Sequence, residues 1–314
     1  MSNTYIHNSL QRDIISNIDK ELLENIFEER SCSLCTHNKF KKIANYDRYK
    51  IKYYTGICEN CGLMQQYKYP NQKFIDKFYT NYYNDLYGFF KNPKDRFDSQ
   101  YSSASYKFKL IKDFLPEKMN NKLLEIGCGA GGILSYFRSK GFDCYGMDYQ
   151  NDHLDYAKNN KIKTYNSLNK INNKFDIIIL SHVIEHMTSF KEIFAKCKLL
   201  LNKNGIIYIE VPSIESIPSH YDYTLLNFLH IGHVTHFTKK TFTNFLNLHG
   251  FKINYINNVI HAIVTPFETN TTIINNYKNT ESILRIIQLK KILFRPFKLI
   301  IQKVKKYIKK FVNS

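Results

Sequence analysis

The sequence predicts an α/β protein built on a doubly wound parallel sheet, and three observations predict it. Leu123-Leu-Glu-Ile-Gly-Cys-Gly-Ala-Gly-Gly132 runs an apolar strand into a glycine-crowded turn. The next apolar run, Cys144-Tyr-Gly-Met, ends on Asp148, one strand later, where a carboxylate can accept both hydroxyls of a ribose. From 105 to 265, runs of strand length alternate with segments of helical spacing. That rhythm sets strands in parallel with helices on both faces and puts ligands beyond the strands' carboxyl ends. A nucleoside cofactor is the expected ligand.

Residues 1–28 carry Leu10, Ile14, Ile15, Ile18, Leu22, Leu23 and Ile26 at helical spacing, which predicts a leading helix over 8–28. Residues 29–68 form a separate module. It holds Cys32-x-x-Cys35 and Cys58-x-x-Cys61, 22 residues apart, with Gly62 directly after the second pair. Two such turns aim four thiolates at one ion, so the spacing predicts a closed, structural zinc site that folds a segment too small to hold a core alone. Two disulfides would need an oxidising compartment, and the opening Met1-Ser-Asn-Thr-Tyr has no basic start before an apolar stretch.

Residues 69–104 mix charge with Phe74, Phe78, Tyr82, Tyr83, Tyr87, Phe89 and Phe90 and read as helices over the sheet edge. The rings serve either as interdomain core or as a lid in which Tyr83 covers the cofactor, since an aromatic face attracts a sulfonium and excludes water. In 105–265 the strands are expected near 122–126, 143–148, 162–165, 175–180, 206–211 and 252–256. The helices are expected near 105–115, 131–140, 152–159, 190–201 and 239–249. Residues 266–314 make a basic tail. There Phe297, Ile300, Ile301, Val304, Tyr307, Ile308 and Phe311 repeat at helical spacing opposite a lysine-rich face, and Pro296 suits a helix's first turn.

Length allows a large core plus these additions. Formal net charge is +18, but ten Lys/Arg against one acid put +9 of it into residues 281–314. The body is thus mildly basic, and the abundance of Lys, Asn and Ile throughout resembles coding bias, which weakens any reading of scattered lysines as a binding surface. No run of 18 apolar residues occurs, so no membrane span is expected. The expected location is the cytoplasm, with peripheral contact to the inner membrane face through 296–314. Docking of that tail on the body or on a second copy explains the same stripe.

Glu125-x-Gly127-x-Gly129-x-Gly131 resembles the first motif of class I S-adenosylmethionine-dependent methyltransferases, whose glycine turn faces the cofactor's amino acid end. A dinucleotide fold would share Gly127-x-Gly129-x-x-Gly132 but not the glutamate. Phe175-Asp-Ile-Ile-Ile-Leu-Ser-His-Val-Ile-Glu-His-Met187 resembles that family's fourth-strand motif, and Leu200 to Pro212 its helix, turn and fifth strand. The resemblance implies a Rossmann-like sheet and a cofactor site drawn from Glu125, Gly127, Cys128, Gly129, Gly131, Asp148, Tyr149, Ser181 and His182, with Tyr83 above it. Cys128 is read as packing in the turn rather than as a nucleophile; Cys144 and Cys197 fall on core patterns.

Six of the eleven histidines lie between 182 and 236, in loops after the fourth and fifth strands. Leu229-His-Ile-Gly-His-Val-Thr-His-Phe-Thr238 resembles the Glu-His-Leu-Ser-Tyr-Phe-Ser string of sugar methyltransferases that carry a four-cysteine zinc module. The resemblance places His233 at the general base, Thr235 at the serine, His236 at the tyrosine and Phe237 at the aromatic, while Gly232 replaces the glutamate. The further C-terminal domain of the longer sugar C-methyltransferases has no counterpart. Adjacent Glu185 and His186 resemble residues that small-molecule O-methyltransferases use, sometimes as ligands of a divalent ion.

The leading expectation is a methyltransferase acting on a nucleotide-linked sugar or a surface glycan. RNA methylation is the second, although Ser181-His-Val-Ile-Glu-His186 stands where methylation of exocyclic amines uses an Asn/Asp-Pro-Pro-aromatic string. A non-catalytic, membrane-associated scaffold is the third.

Overall fold

The computed structural model describes residues 9–23, 26–87, 92–268 and 271–312. Phe89 and Phe90 lie outside the described residues, as do the side chains of 295–312. The chain opens with α1 (Ser9–Glu21), whose Ile14 and Ile18 are buried. The helix expected over 8–28 stops there because Phe27–Glu29 is a strand, β1, paired antiparallel with β4 (Met64–Pro70). With β2 (Phe40–Tyr46) and β3 (Lys52–Cys58) these form one antiparallel sheet in the order β1-β4-β3-β2. The knuckle after β3 needs Gly62, at φ 80°, where a Cβ would stand 2.4 Å from the carbonyl carbon of Asn276.

Helix α2 (Gln72–Asn81) is capped by Asn71, and α3 (Tyr83–Tyr87) follows. Then α4 (Pro93–Lys112) starts behind an Asn92 cap with proline in its first turn. The helix expected at 105–115 is therefore only the end of a much longer one. Its first turns escaped notice because Ser99, Ser102, Ser103 and Ser105 dilute the apolar period.

The second sheet is assembled from β5 (Lys122–Ile126), α5 (Gly132–Arg138), β6 (Asp143–Met147), α6 (Asn151–Asn159), β7 (Lys163–Tyr165), β8 (Phe175–Ser181), α7 (Lys191–Leu200) and β9 (Leu201–Glu210). Short helices α8 (Ile217–His220) and α9 (Leu225–Phe228) lead to β10 (Thr235–His236), α10 (Lys239–Leu248), β11 (Phe251–Ile256) and β12 (His261–Pro266). Strand order is β11-β12-β9-β8-β5-β6-β7. β5 to β9 run parallel, as expected, and β8 is buried over its first six positions.

One strand corrects the all-parallel expectation. β12 lies antiparallel between β9 and β11. A tight reversal at Asn257–Ile260, with His261 N–H donating to Asn257 Oδ1 at 2.9 Å, turns the chain back. Buried Ala262, Ile263 and Val264 are thereby zipped onto β9.

The two sheets are not independent. β10 leaves the loop after β9 and pairs with β4 of the first sheet, Thr235 opposite Gln65 and His236 opposite Met64. A single apolar cluster contains Cys58, Cys61 and Leu63 of the first sheet together with Ile209, Phe237 and Phe245 of the second. The chain ends in α11 (Tyr277–Val312). It runs through Pro296 rather than starting there, although proline removes one backbone donor from the helix interior. No helix among the described residues is long and apolar enough to cross a membrane.

Candidate functional site

Parallel strands leave their carboxyl ends on one edge, and the turn after β5 sits there. Gly127, at φ 77°, and Cys128 donate backbone N–H bonds to Met147 O at 2.7 and 3.0 Å, folding the turn over the end of β6. A Cβ at Gly127 would lie 2.6 Å from Val183 Cγ2, so only glycine lets the turn and the loop after β8 approach this closely. Asp148 follows β6 directly. Its Oδ2 accepts Gly129 N–H at 2.8 Å and its Oδ1 accepts Tyr149 and Gln150 N–H at 2.7 and 3.0 Å, which leaves one lone-pair site, on Oδ2, for a ribose hydroxyl. Tyr149 itself is 79% exposed beside it.

Glu125 is fully buried on β5, where desolvation pushes its carboxyl well above the usual range, and its Oε2 has no partner among the described residues. The site therefore combines a buried, unpartnered polar atom on β5, the glycine turn that follows it and an anchored carboxylate, a combination that fits a nucleoside with an amino acid arm. Burial also raises the Cys128 thiol well above its ordinary pKa, which removes the thiolate that a nucleophile needs.

The loop after β8 carries the polar chemistry. Ser181 Oγ donates to Glu210 Oε2 at 2.6 Å. His182 stands at φ 55°, a left-handed conformation costing roughly 1–3 kcal/mol. The strain places its ring between two acids, Nδ1 at 3.1 Å from Glu185 Oε1 and Nε2 at 3.5 Å from Glu210 Oε1. Desolvation works to lower the imidazole's pKa, but the bonds to Glu185 and Glu210 prevail and hold it up at about 10. Lys107 of α4 pairs with Glu210 from the other side, and the two are nearly buried together. Desolvation opposes the charge of Glu210, yet His182 and Lys107 keep its carboxyl well below the ordinary range.

Behind this pair the histidines gather. His233 is buried with Nε2 3.8 Å from Glu185 Oε1, while its Nδ1 has no partner among the described residues. Its ring centroid lies 3.5 Å from that of His230 and 4.7 Å from that of His186. Desolvation first, then the neighbouring His230 and His186, drive the His233 pKa well below its usual value. His186 Nδ1 meets Tyr79 OH at 3.2 Å, and His230 Nδ1 meets Tyr87 OH at 3.1 Å. Tyr83 stacks among Tyr79, Tyr87 and His186, and the charges of Arg96, Glu185 and Asp148 all bear on its phenol. Its ring thus borders the histidine cluster through His186.

His236 is placed differently. It belongs to β10, is 1% exposed, and its Nε2 is taken up by Tyr53 OH of β3, so its ring fastens the segment after β9 to the first sheet. Ligand atoms of Glu185, His186 and His233 all lie within 4.8 Å of one another and could hold an ion. The same is true of Cys32, Cys35, Cys58 and Cys61. There the sulfurs approach pairwise to 3.4 Å (Cys32 and Cys61) and 3.5 Å (Cys35 and Cys58), and hydrogen bonds from Cys32 and Cys61 pull the Cys58 thiol far down. A converged set of sulfurs with one held as thiolate suits a tetrahedral metal.

Several participants left little trace in the sequence. Gln100 of α4 braces the glycine turn, its Nε2 donating to Cys128 O at 2.9 Å. Asp47, wholly buried, accepts the backbone N–H groups of Tyr49, Ile51 and Ile231 and so fixes the histidine loop to the first sheet. Lys107 was hidden in a helix read only in part. A buried polar residue signals its importance only through tertiary neighbours, and spacing along the chain does not encode them.

A family model described as "Methyltransferase domain" matches residues 97–256, half of the chain. The "Ubiquinone biosynthesis O-methyltransferase" of Pelagibacter ubique is 32% identical over 115 residues, which cover 32% of this chain and 48% of that protein. The protein of the same description from Rhodopseudomonas palustris strain TIE-1 is 28% identical over 97 residues, 28% of this chain and 38% of its own length. The chain thus spans about half or less of the curated relatives it matches. Among solved structures, Streptomyces venezuelae DesVI is 15% identical with a TM-score of 0.41, covering 53% of this chain and 92% of that one. An S-adenosylmethionine-dependent methyltransferase from Listeria monocytogenes is 18% identical with a TM-score of 0.42, covering 52% and 100%. The glycine turn, the acid after β6 and the strand order agree with the family match: the chain belongs to the methyltransferase-domain family, as a class I, S-adenosylmethionine-dependent member.

Proposed function

We propose that this protein methylates a hydroxyl group of a sugar, presented on a nucleotide or on a growing surface glycan, with His233 as general base. The observation that carries this reading is the neutral, buried His233 ring with Glu185 Oε1 3.8 Å from its Nε2. The sequence string lost its carboxylate at Gly232, and Glu185 supplies one from the loop after β8. S-adenosylmethionine, when bound, supplies an electrophilic methyl group. Gly127, Gly129 and Gly131 would make room for its amino acid arm, Asp148 would accept a ribose hydroxyl, and Tyr83 would cover it and exclude water.

As the methyl group passes to the acceptor oxygen, His233 would take the hydroxyl proton. A base in this position contributes roughly 10²–10⁴ in rate, while positioning of the two reactants supplies the larger share. Glu185 and the ionised carboxylate of Glu210, bridged by His182, offer oxygens to further hydroxyls of the acceptor. Zinc at the four cysteines would act structurally, since four sulfurs leave no open position.

Incubation of the purified chain with labelled S-adenosylmethionine and a pool of nucleotide sugars tests the reading. Label is expected in a sugar, and a His233→Gln variant is expected to lose roughly 10²–10⁴ in kcat while binding the cofactor as before. Label found only in RNA, or only in a quinol, overturns the sugar assignment.

A further inference from the structure

Helix α11 is fastened at its start and exposes large apolar side chains further on. Asn276 N–H donates to Cys61 O at 3.2 Å, Lys41 pairs with Glu281, and Thr280 and Ile287 are buried against the body. Ile283 and Leu284 pack on the same cluster. From the next turn onward the large apolar side chains point to solvent: Ile286 is 49% exposed, Leu289 53%, Leu293 59% and Phe294 52%.

Helical register separates the two groups except at Phe294, which lies two turns after Ile287 on the docked side. At 3.6 residues per turn, Thr280, Ile283, Leu284 and Ile287 centre on one side of the axis, and Ile286, Leu289 and Leu293 on another about 140° away. Carried forward along the sequence, the exposed side continues through positions 297, 300, 304, 307 and 311, all apolar. The stripe in the tail is therefore in register with the uncovered face of α11 and not with the face that docks on the protein. Lysines 290, 291, 298, 303, 305, 306, 309 and 310 lie beside or opposite that stripe, and the sole acid after residue 280, Glu281, is already paired with Lys41.

We propose that this outer face of α11 binds the surface of an anionic bilayer, its apolar stripe entering the acyl boundary and its lysines meeting lipid phosphates. Charge complementarity selects this occupant. A second copy would bring two unrelieved rows of cations together, whereas helix pairing uses opposite charges beside the apolar seam. Since no described helix can cross a membrane, the contact is with the surface. This inference is independent of the acceptor and of the methyl transfer, so it can fail while the enzymatic reading stands.

Sedimentation of the full chain with vesicles tests it. Binding is expected to vesicles containing phosphatidylglycerol, to weaken with salt, and to fall to background on pure phosphatidylcholine. A triple variant Ile286→Ser, Leu289→Ser, Leu293→Ser and a charge variant Lys290→Gln, Lys291→Gln, Lys305→Gln, Lys306→Gln should each lower the bound fraction about tenfold or more. These positions are solvent-facing or in the tail, so the thermal midpoint in solution should stay unchanged and report an intact fold. Failure to sediment with anionic vesicles overturns the proposal, as does binding that survives the triple serine variant. A concentration-dependent dimer in lipid-free buffer that the serine variant abolishes also overturns it, assigning the face to a second copy.

Discussion

Asp47 shows how much one buried side chain can organise. Its Oδ1 accepts Tyr49 and Ile51 N–H, its Oδ2 accepts Ile231 N–H at 3.1 Å, and desolvation lifts its pKa to about 7. An Asp47→Asn substitution keeps the shape but turns a donor toward at least one of those N–H groups. A buried donor left without an acceptor costs about 1–3 kcal/mol. Urea unfolding should register that loss, and because Ile231 lies two residues before His233, any methyl transfer activity should drop with it. Stability equal to that of the parent chain would show that the carboxylate has no part in seating the loop. At Gly127 the argument is steric. Alanine there meets Val183 Cγ2 at 2.6 Å and keeps a φ of 77°, two separate penalties. Val183→Ala in the same chain should recover the contact but leave the left-handed strain, roughly 1–2 kcal/mol, so a double-mutant cycle in urea should show partial rescue. Full rescue would mean that the backbone relaxes freely.

At the scale of elements, those legible in the sequence are the ones whose burial repeats at a fixed period. β5, β6, β8, α7 and α10 lie where apolar runs and helical spacing put them, because each buries one whole face or is buried on both. The elements that escaped are those defined by partners far along the chain. β12 follows the last expected strand, 252–256, and declares itself only through Asn257, which reverses the backbone, while β1 reads as more of α1 until its pairing with β4 is seen. The site divides the same way. The glycines, Asp148 and the cysteine pairs are dictated by local chemistry and were readable, whereas the split between His233, at the edge of an acidic loop, and His236, inside a strand pairing, depends on which sheet each one meets. The pairing of β10 with β4 also predicts a coupling. If a metal holds the four cysteines, removing it with a chelator should loosen β3 and β4, and through β10 the loop bearing His233. Hydrogen exchange at residues 229–237 should then rise together with that at 52–70, and exchange confined to the cysteine module would separate the two sheets.

Over the whole molecule, the buried histidines set how stability responds to acid. Desolvation lowers His236 to about 3 and His249 to about 4, and it also depresses His186, His230 and His233. In the unfolded chain each would titrate near 6.5. Between the folded and unfolded values the unfolded state binds more protons, so stability is complete above about pH 6.5 and is lost as the pH falls through 6 and 5 toward 4. Asp47 acts with the opposite sign. Its folded pKa of about 7 lies above the ordinary 3.8, so its contribution is present at low pH and fades as the pH rises through 4 to 7. His182, raised to about 10, adds stability that is full below 6.5 and fades as the pH climbs toward 10. With His153 and His261 the depressed histidines number seven, against three raised acids, Asp19, Asp47 and Glu125, so the urea midpoint should climb from pH 4.5 to 6.5. From pH 6.5 to about 8.5 the proton that folded His182 keeps and the unfolded chain releases should make it decline. A His182→Gln variant should lose that decline while keeping the acid slope, and above about pH 8.5 the raised thiols of Cys128, Cys144 and Cys197 should still lower the midpoint. The same decline in that variant would mean that the two carboxylates do not hold a proton on His182, and with that the acidic loop would lose the charge arrangement on which the assignment of Glu185 beside His233 depends.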